Sequence, residues 1–347
     1  MVFRGIPVRE RVQSVRGLAL CAGVAILAIA AFMLWFIVQV HQPFQGYPES
    51  SRIVLIERGW ALPQIAETLH SQGIIRSSSI FQWYVRLVSE PSFLKAGEYR
   101  FEGLQTLPAI LEKLRLVQVH HYRITIPEGL TLDEIATRLV DGGFGKEQEF
   151  TRAMKEIDLI DDWDPLADQN LEGYLFPDTY FFPRGADEQD IVRSMVNYFR
   201  EVWTPEHSRR AQELELSIRE VVTLASLIEK ETGLDRERPL VSAVFHNRLH
   251  QNLKLACDPT VIYAVKLTKK FDGVINQSDL DLDSPYNTYL YPGLPPGPIA
   301  NPGLASIEAA LYPEDVDYLY FVSANDGSHI FSTHYRDHRR AVAKYQR

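Results

Sequence analysis

Cysteine is scarce in this chain of 347 residues, which contains only Cys21 and Cys257. Two cysteines cannot form a disulfide framework, and Cys21 lies in a long apolar run that a partner in an exported domain could not reach. The cysteines therefore do not indicate a redox compartment. With 46% hydrophobic residues, the chain can bury one large core or two to three smaller ones, so we expect several domains.

Positive charge is also missing from most of the chain. The formal net charge is −9, but residues 1–40 carry four arginines and one glutamate, a sum of +3, which leaves −12 for the remainder. Nucleic-acid phosphates require clustered lysine and arginine. An acidic body without a basic stripe therefore excludes a nucleic-acid partner and favours a neutral or weakly charged polymer.

The motifs of two common enzyme classes are absent. The spacing of His246, His329, His334 and His338 matches no zinc pattern, and surface or core histidines are the simpler interpretation. Ser226 does not lie in a Gly-x-Ser-x-Gly elbow, so serine hydrolase chemistry has no support. We expect neither a metal nor a cofactor.

A long apolar run near the N-terminus is the first positive feature. Residues 17–40 read GLALCAGVAILAIAAFMLWFIVQV, and about 20 apolar residues suffice to cross a bilayer as a helix. A buried core helix rarely runs so long without charge, and a cleaved signal peptide has a shorter core followed by small residues. We therefore predict an uncleaved membrane anchor. Four arginines precede it, which places residues 1–16 in the cytoplasm and the rest outside.

A short linker, residues 41–51, leads into a region of internal repeats, residues 52–144. Ile56–Leu69 and Ile126–Leu139 share a glycine, a leucine, an Ile-Ala pair and a final leucine, and Tyr99–Leu114 is a looser copy. Each copy predicts a strand, a turn at glycine and a short amphipathic helix, a unit too small to bury its own apolar face. Such units resemble LysM-type glycan-binding modules. A scaffold that spaces the catalytic part from the membrane fits the pattern equally well.

Residues 145–347 are predicted to form a mixed α+β catalytic domain, which makes the whole chain α+β. The aromatic segment Leu171–Phe182 favours core packing over sugar binding. Tyr318–Val322 and Gly327–Ser332 predict two strands of a hairpin, because Asn325, Asp326 and Gly327 form a turn between them. The final segment, 333–347, is typical of a basic amphipathic helix.

One predicted helix carries two candidate acids near its end. Apolar residues recur at helical spacing from Ile218 to Thr232, so Glu229 and Glu231 fall on opposite shoulders of the apolar stripe, and Lys230 points to solvent. The C-terminal end of a helix disfavours ionised carboxylates and raises their pKa, as a general acid requires. Helix geometry does not choose between the two glutamates, and an ordinary charged helix end remains an alternative.

Four motifs occur in order around and after this helix. They are the Ala-Ser-Leu-Ile-Glu-Lys-Glu-Thr of 225–232, the Asp-Pro-Thr-Val-Ile-Tyr of 258–263, the Tyr-Asn-Thr-Tyr of 286–289, and the Gly/Pro-rich 293–303. The last three of these stretches are interpreted as loops, because they are dense in polar side chains and rigid turns. A fifth match, Glu-Gly-x-x-x-Pro-Asp-Thr, covers 172–179. Together they resemble the YceG-like family of endolytic murein transglycosylases, and the resemblance extends from the anchor to the C-terminus.

The resemblance implies residue roles that the bare sequence does not. The second glutamate of Glu-Lys-Glu is the catalytic one in the family, which corresponds to Glu231. The residues expected to shape the glycan cleft are Asp258, Thr260, Tyr286, Asn287, Thr288, Tyr289 and Asn301. The family usually has a polar residue before Asp-Pro-Thr, whereas this chain has Cys257, so a hydrogen bond from this position is not expected.

The resemblance also implies a reaction and a place. A lytic transglycosylase cuts the bond between N-acetylmuramic acid and N-acetylglucosamine in nascent glycan strands and leaves 1,6-anhydro ends, without a metal or cofactor. We expect a single-pass protein of the bacterial cytoplasmic membrane that terminates strand elongation, with cell-wall synthases as candidate partners. Two alternatives stay open: a non-catalytic peptidoglycan-binding or scaffolding protein, and a muramidase that cuts the same bond with water.

Overall fold

The computed structural model describes residues 8–57, 59–90, 94–116, 120–164, 170–269 and 271–346, with side chains described from residue 21 onward. The chain is a mixture of helices and short strands, as predicted, and divides into two compact units, Met1–His121 and Tyr122–Arg347. The second unit therefore begins before residue 145, where the sequence analysis started the catalytic region.

The first unit opens with helix α1, Val8–His41. Its segment Cys21–His41 has a mean hydropathy of 2.6, and none of its most apolar window is buried, so by length and composition it can cross a membrane. This agrees with the predicted apolar helix over residues 17–40. The first of the four flanking arginines, Arg4, lies outside the described residues.

The remaining elements of the first unit form a small sheet with helices. They are β1 (Ser51–Ile56), α2 (Leu62–Ser71), α3 (Ser78–Val88), β2 (Gly97–Glu102) and α4 (Leu107–Arg115). Strands β1 and β2 pair antiparallel, with Ser51 opposite Glu102. Their inward side chains, Ile56, Tyr99 and Phe101 among them, join a core with residues of the three helices.

The second unit contains most of the helices. Its elements are β3 (Tyr122–Thr125), α5 (Leu132–Asp141), α6 (Glu147–Ala153), a 3₁₀ turn (Ile157–Leu159), β4 (Thr179–Phe182), α7 (Glu188–Val202), α8 (Pro205–Glu213), α9 (Ile218–Glu231), α10 (Arg238–His250), α11 (Asp258–Thr268), α12 (Gln277–Leu280), α13 (Leu304–Leu311), β5 (Tyr320–Ser323), β6 (His329–Ser332) and α14 (Tyr335–Tyr345). Strands β3 and β4 pair antiparallel, and so do β5 and β6.

The three sequence repeats have the predicted local structure. In each copy a strand is followed by a glycine with positive φ and then a helix: Gly59 at +85°, Gly103 at +62° and Gly129 at +73°. The first and the looser copies pair with each other through β1 and β2. The strand of the third copy, β3, pairs instead with β4, which belongs to the aromatic segment. Through this pairing the third copy is part of the second unit.

Helix α9 is the centre of the second unit. Its N-cap Ser217 accepts a hydrogen bond from the Glu220 backbone, and the Glu220 side chain accepts one back from Ser217, a capping box that fixes where the helix starts. Every residue from Val221 to Ile228 is buried. The helix therefore runs through the core, and its last turn carries Glu229 and Glu231.

Two further predictions were tested by the fold. The aromatic segment is core, because Leu171, Tyr174 and Leu175 are fully buried, and the C-terminal hairpin forms as predicted. The interpretation of the Asp-Pro-Thr motif as part of a loop was wrong, since Asp258 begins α11. Pro259 in the first turn was the available signal, because proline favours that position.

Candidate active site

The last turn of α9 separates its two glutamates chemically. The side chain of Glu229 is only 8% exposed. Its Oε2 accepts hydrogen bonds from the Ser306 hydroxyl at 2.7 Å and the Gly303 amide at 3.2 Å, and its Oε1 lies 3.6 Å from the guanidinium of Arg238. Glu229 is therefore held inside the protein by an ion pair and two hydrogen-bond donors.

Lys230, between the two glutamates, is exposed, as the helix geometry predicted. Its ammonium donates to the Gly129 carbonyl at 2.9 Å, so it ties the end of α9 to the turn of the third repeat. A Cβ at Gly129 would be in van der Waals contact with the side chains of Glu229 and Lys230. The turn of the third repeat therefore packs directly against the end of α9.

Glu231 has a different environment. The residue keeps some solvent-accessible surface, yet the protein around its carboxyl removes most of the water. Burial raises the pKa of Glu231 from 4.5 to about 7, and the negative charge of Asp258 acts in the same direction. The Cys257 thiol, the His329 imidazole and the Arg248 guanidinium act against this rise. The upward direction was expected, and burial is its main cause.

Cys257 is the N-cap of α11 and is buried. Burial, together with the Glu231 carboxylate, raises the pKa of its thiol well above the usual value, so the thiol keeps its proton.

Asp258 and Tyr289 form a pair beside Glu231. Asp258 is exposed at the first position of α11, and its Oδ1 accepts a hydrogen bond of 2.6 Å from the Tyr289 hydroxyl. Burial and the Asp258 carboxylate raise the pKa of Tyr289, so its hydroxyl stays protonated. Of the predicted cleft residues, these two combine solvent access with electrostatic coupling to Glu231.

Thr260 and Thr288 lie behind this pair and are buried. The Thr260 hydroxyl donates to the Cys257 carbonyl at 2.7 Å, and the Cys257 amide donates to the Thr288 hydroxyl at 3.0 Å. The two hydroxyls are themselves 2.8 Å apart. Their hydrogen bonds therefore fix the backbone that carries Cys257.

Asn287 and Asn301 are both fully buried and fix loops. Asn287 donates to the carbonyls of Leu280 and Leu282, each at 2.9 Å. Asn301 donates to the carbonyl of Leu130 and to Glu172, and it accepts from an amide of the aromatic segment. These contacts join loops that are distant in sequence.

Tyr286 is partly exposed, and its ring centroid lies 4.9 Å from that of Tyr263. Beside this pair, the buried Glu172 accepts hydrogen bonds from the Tyr263 hydroxyl and the Leu132 amide, each at 3.3 Å. Burial raises the pKa of Glu172 to about 8. Glu172 belonged to a matched motif, but the sequence did not indicate that it would hold these loops together.

Two more residues influence the pKa of Glu231, and the sequence analysis did not connect them with it. His329 lies on β6, and its Nδ1 is 2.8 Å from a carboxylate oxygen of the buried Glu237. Burial lowers the pKa of Arg248 on α10, whose guanidinium donates to the carbonyls of Leu255 and Leu319. These residues are far from Glu231 in sequence, so no local pattern could have connected them.

The other histidines are not grouped as metal ligands. His246 Nε2 lies 2.9 Å from the Ala310 carbonyl oxygen, and His338 stacks on the Tyr320 ring. Across the part of the chain that the structure describes, no cluster of three or more histidine, cysteine, aspartate or glutamate side chains could hold a metal ion.

Two adjoining cavities lie along α11. The larger has a volume of about 1300 Å³ and is bordered by α5, α6 and the C-terminal half of α11. The smaller, about 170 Å³, shares Thr131, Tyr263 and Lys266 with it and reaches Lys230 and Pro259, the chain neighbours of Glu231 and Asp258. Neither of these two cavities is lined by Glu231 itself, and the smaller one comes within one residue of Glu231 and Asp258 along the chain.

Known proteins resemble this chain along most of its length. It is 34% identical over 322 residues to an endolytic murein transglycosylase of Bacillus subtilis, covering 88% of this chain and 87% of the relative. An endolytic murein transglycosylase of Streptococcus pneumoniae serotype 2 is 29% identical, over 86% of this chain and 58% of the relative. The crystal structure of a putative YceG-like protein from Listeria monocytogenes superposes with a TM-score of 0.58 at 32% identity, covering 84% of this chain and 98% of that one.

The family assignment agrees with the motifs that first indicated it. The model of the YceG-like family matches residues 54–344, which include all of β1 to β6 except the first residues of β1. The match also includes Glu231, Cys257 and the Asp258–Tyr289 pair. This chain belongs to the YceG-like family.

Proposed function

We propose that this protein is an endolytic murein transglycosylase that cuts peptidoglycan glycan strands, with Glu231 as its acid and base. The observation that carries the proposal is the state of that carboxyl. It is desolvated enough to have a pKa of about 7, while the residue as a whole keeps some solvent-accessible surface. A general acid is most effective when its pKa lies near the working pH. Glu229, by contrast, is fully engaged by Arg238 and Ser306.

The chemistry needs one carboxyl group. Protonated Glu231 donates its proton to the oxygen that links N-acetylmuramic acid to N-acetylglucosamine, and the bond from this oxygen to C1 breaks. Positive charge develops at C1 as an oxocarbenium-like or acetamide-assisted intermediate. The Glu231 carboxylate then takes the proton of the muramic C6 hydroxyl, whose oxygen attacks C1. The product is a 1,6-anhydro ring, no water is consumed, and Glu231 ends protonated again.

Neighbouring residues assist each half of this cycle. Arg248 and His329 favour the carboxylate that forms after the first proton transfer, because both lower the proton affinity of Glu231. Asp258 and Tyr289 present a polar, hydrogen-bonded edge that can position the N-acetyl group or stabilise the developing charge. Preorganised groups of this kind contribute several kcal/mol to a transition state.

The named relatives support the same activity. Proteins called endolytic murein transglycosylase resemble this chain from the first unit to the C-terminal helix. Helix α1 would anchor the protein in the bacterial cytoplasmic membrane by a single span, with its arginine-rich start in the cytoplasm and the chain after α1 outside. In that location the enzyme cuts nascent strands and terminates their elongation, with cell-wall synthases as partners.

The first unit is a second element of the proposal. Its order of strand, two helices and strand, with the strands paired antiparallel, supports a LysM-type glycan-binding module. Trp83 on α3 is 62% exposed and offers an aromatic face on which a sugar ring can stack. Trp83→Ala should reduce the amount of protein that sediments with insoluble peptidoglycan. Equal sedimentation of variant and wild type would favour a spacer role.

The activity is tested by digestion of purified glycan strands with the full-length protein in detergent. Mass spectrometry of the ends separates the three candidate functions. The proposal predicts 1,6-anhydro ends with the wild type and about 10²- to 10⁴-fold slower release of such ends with Glu231→Gln. Reducing ends would indicate a muramidase, and intact strands a binding or scaffolding protein.

A further inference from the structure

The two cavities along α11 have no part in the proposed cleavage step. Together they form the α11 groove, whose larger part of about 1300 Å³ and smaller part of about 170 Å³ share Thr131, Tyr263 and Lys266. The smaller part is lined by Lys230, whose Cα atom lies about 3.8 Å from that of the next residue, Glu231. A cavity of this size holds a ligand as large as a short peptide. A branch of the substrate next to the reacting bond can therefore enter this groove.

The α11 groove carries charges of both signs at separate places. Lys230 lines its smaller part and Asp133 its larger part, and both residues are exposed. Among the residues that the structure describes, neither of the two takes part in an ion pair. The Lys230 ammonium uses one of its three donors on the Gly129 carbonyl, at 2.9 Å. An ammonium at one end and a carboxylate further along are therefore available to a charged ligand.

An ion pair that a ligand can open lies between these two groups. The Lys266 ammonium is 2.9 Å from Oε1 of Glu134, and the two side chains are 41% and 40% exposed. The other oxygen of Glu134 accepts a hydrogen bond from the Thr131 amide at 3.0 Å, which keeps this carboxylate in place. Exposed ion pairs contribute little to stability, so a ligand carboxylate can replace Glu134 at Lys266 at small cost.

Apolar side chains complete the lining of the α11 groove. Ile262 lines the smaller part, and Leu132 and Leu267 line the larger part. Leu267 is 59% exposed, so a ligand that covers it removes apolar surface from water. The groove therefore matches a ligand that combines carboxylates, an amine and small apolar side chains.

Peptidoglycan has a branch with this chemistry. The lactyl group of muramic acid carries a short peptide of alanine, glutamate and a diamino acid, which presents carboxylates, a free amine and methyl groups. Five extended residues of such a peptide span about 17 Å. The hydroxyl and acetamide groups of the sugar rings are uncharged and would leave the charges of the groove without partners.

We propose that the α11 groove binds the peptide branch of muramic acid, with Lys230 and Lys266 receiving its carboxylates and Asp133 its free amine. The enzyme therefore prefers strands that still carry their peptides. This proposal deepens the proposed function and rests on it.

The test compares kcat/KM for release of 1,6-anhydro ends from two substrates, with the full-length protein in detergent. One substrate is glycan that carries its peptides, and the other is the same glycan after an amidase has removed them. A single hydrogen bond to a charged group corresponds to a factor of about ten or more. The wild type should therefore cut the peptide-bearing strands at least about tenfold better.

Two variants in the groove and two controls outside it use the ratio of these two kcat/KM values. Lys230→Met and Asp133→Asn should each lower the ratio about tenfold, because each removes one charge that contacts the peptide. Lys344→Met on α14 and Asp141→Asn at the end of α5 make similar changes outside both cavities and should keep the wild-type ratio.

Chemical modification of the substrate tests the contact with Asp133 separately. Acetylation of the free amine of the peptide removes its positive charge. It should lower kcat/KM of the wild type on peptide-bearing strands and leave that of Asp133→Asn nearly unchanged. An equal loss in both proteins would refute the contact between this amine and Asp133.

The outcomes separate this proposal from the one it rests on. If the wild type makes anhydro ends equally well from both substrates, the proposed function stands and the peptide groove is refuted. If Lys230→Met and Asp133→Asn slow both substrates by the same factor, their roles are structural and the groove is refuted again. If the wild type makes no anhydro ends from either substrate, the proposed function itself fails. A ratio that falls in both groove variants and in neither control supports the proposal.

Discussion

Replacing Glu231 by glutamine should stabilise the protein at alkaline pH. Burial raises the pKa of this carboxyl from 4.5 to about 7 in the folded state. Stability that the folded state gains from holding this proton is complete below about pH 4.5 and is lost as the pH rises through about 7. Glutamine does not titrate, so the variant avoids that loss.

The magnitude follows from the two pKa values. At about 1.4 kcal/mol per pKa unit, the difference corresponds to roughly 3 kcal/mol above pH 7. Glu231 keeps some contact with solvent, which reduces the effect to about 1–2 kcal/mol. For a unit of this size, each kcal/mol corresponds to about 2–4 °C in melting temperature. The variant should therefore melt about 2–8 °C above the wild type at pH 8 and at nearly the same temperature at pH 5.

Glu229→Gln is the matched control, because it makes the same chemical change two residues earlier. It removes one of three carboxylates near the buried guanidinium of Arg238, the other two being those of Asp235 and Glu128, and should cost about 1–2 kcal/mol. This variant should melt below the wild type at both pH values. Melting curves of the full-length protein in detergent provide the measurement. Two results would refute the assignment of a buried carboxyl that holds its proton. In the first, Glu231→Gln melts below the wild type at pH 8. In the second, its melting temperature differs from that of the wild type by the same amount at pH 5 and pH 8.

Three further variants test the scaffold around the site. Because burial raises the pKa of Glu172 to about 8, the free energy of unfolding of the wild type should fall between about pH 5 and pH 8. Glu172→Gln should reduce this fall. An unchanged dependence of stability on pH in the variant would contradict this. Gly173 has a φ of +89°, and a Cβ there would lie 2.6 Å from Pro298. Gly173→Ala should therefore lower the free energy of unfolding, measured in urea, by about 2 kcal/mol or more. The control Gly185→Ala, which has open space around it, should lower it little. Ser217→Ala removes the N-cap of α9 and should lower the free energy of unfolding by about 1 kcal/mol; no loss would mean that the cap is dispensable.

Local patterns in the sequence were sufficient for many elements. The apolar helix, the strand, glycine and helix of each repeat, the α9 helix and the C-terminal hairpin all follow from periodicity and turn residues within about 15 positions of each other. The start of α11 was missed, although Pro259 in its first turn was visible, because the polar residues around it outweighed that signal.

Pairings between distant segments could not be obtained in this way. The third repeat, Ile126–Leu139, matched the first in sequence, yet its strand pairs with the aromatic segment rather than with another repeat. That choice depends on which apolar faces remain uncovered after the whole chain folds. No window of sequence contains this information.

The same limit applied at the site. Helix geometry placed Glu229 and Glu231 on different sides, but only the approach of Arg238 and Ser306 shows that Glu229 is occupied. The Cys257 thiol, the His329 imidazole and the Arg248 guanidinium, which influence the pKa of Glu231, also come from remote segments. Family resemblance supplied the choice of Glu231 that local physical reasoning left open.

The most direct test of the central claim is the yield of anhydro-ended glycan from two isosteric variants at equal protein concentration near neutral pH. Removal of a general acid typically lowers a rate by about 10²- to 10⁴-fold. Glu231→Gln should fall in that range, while Glu229→Gln, assayed below its melting temperature, should keep most of its activity. Anhydro ends released by Glu231→Gln at close to the wild-type rate would contradict the account.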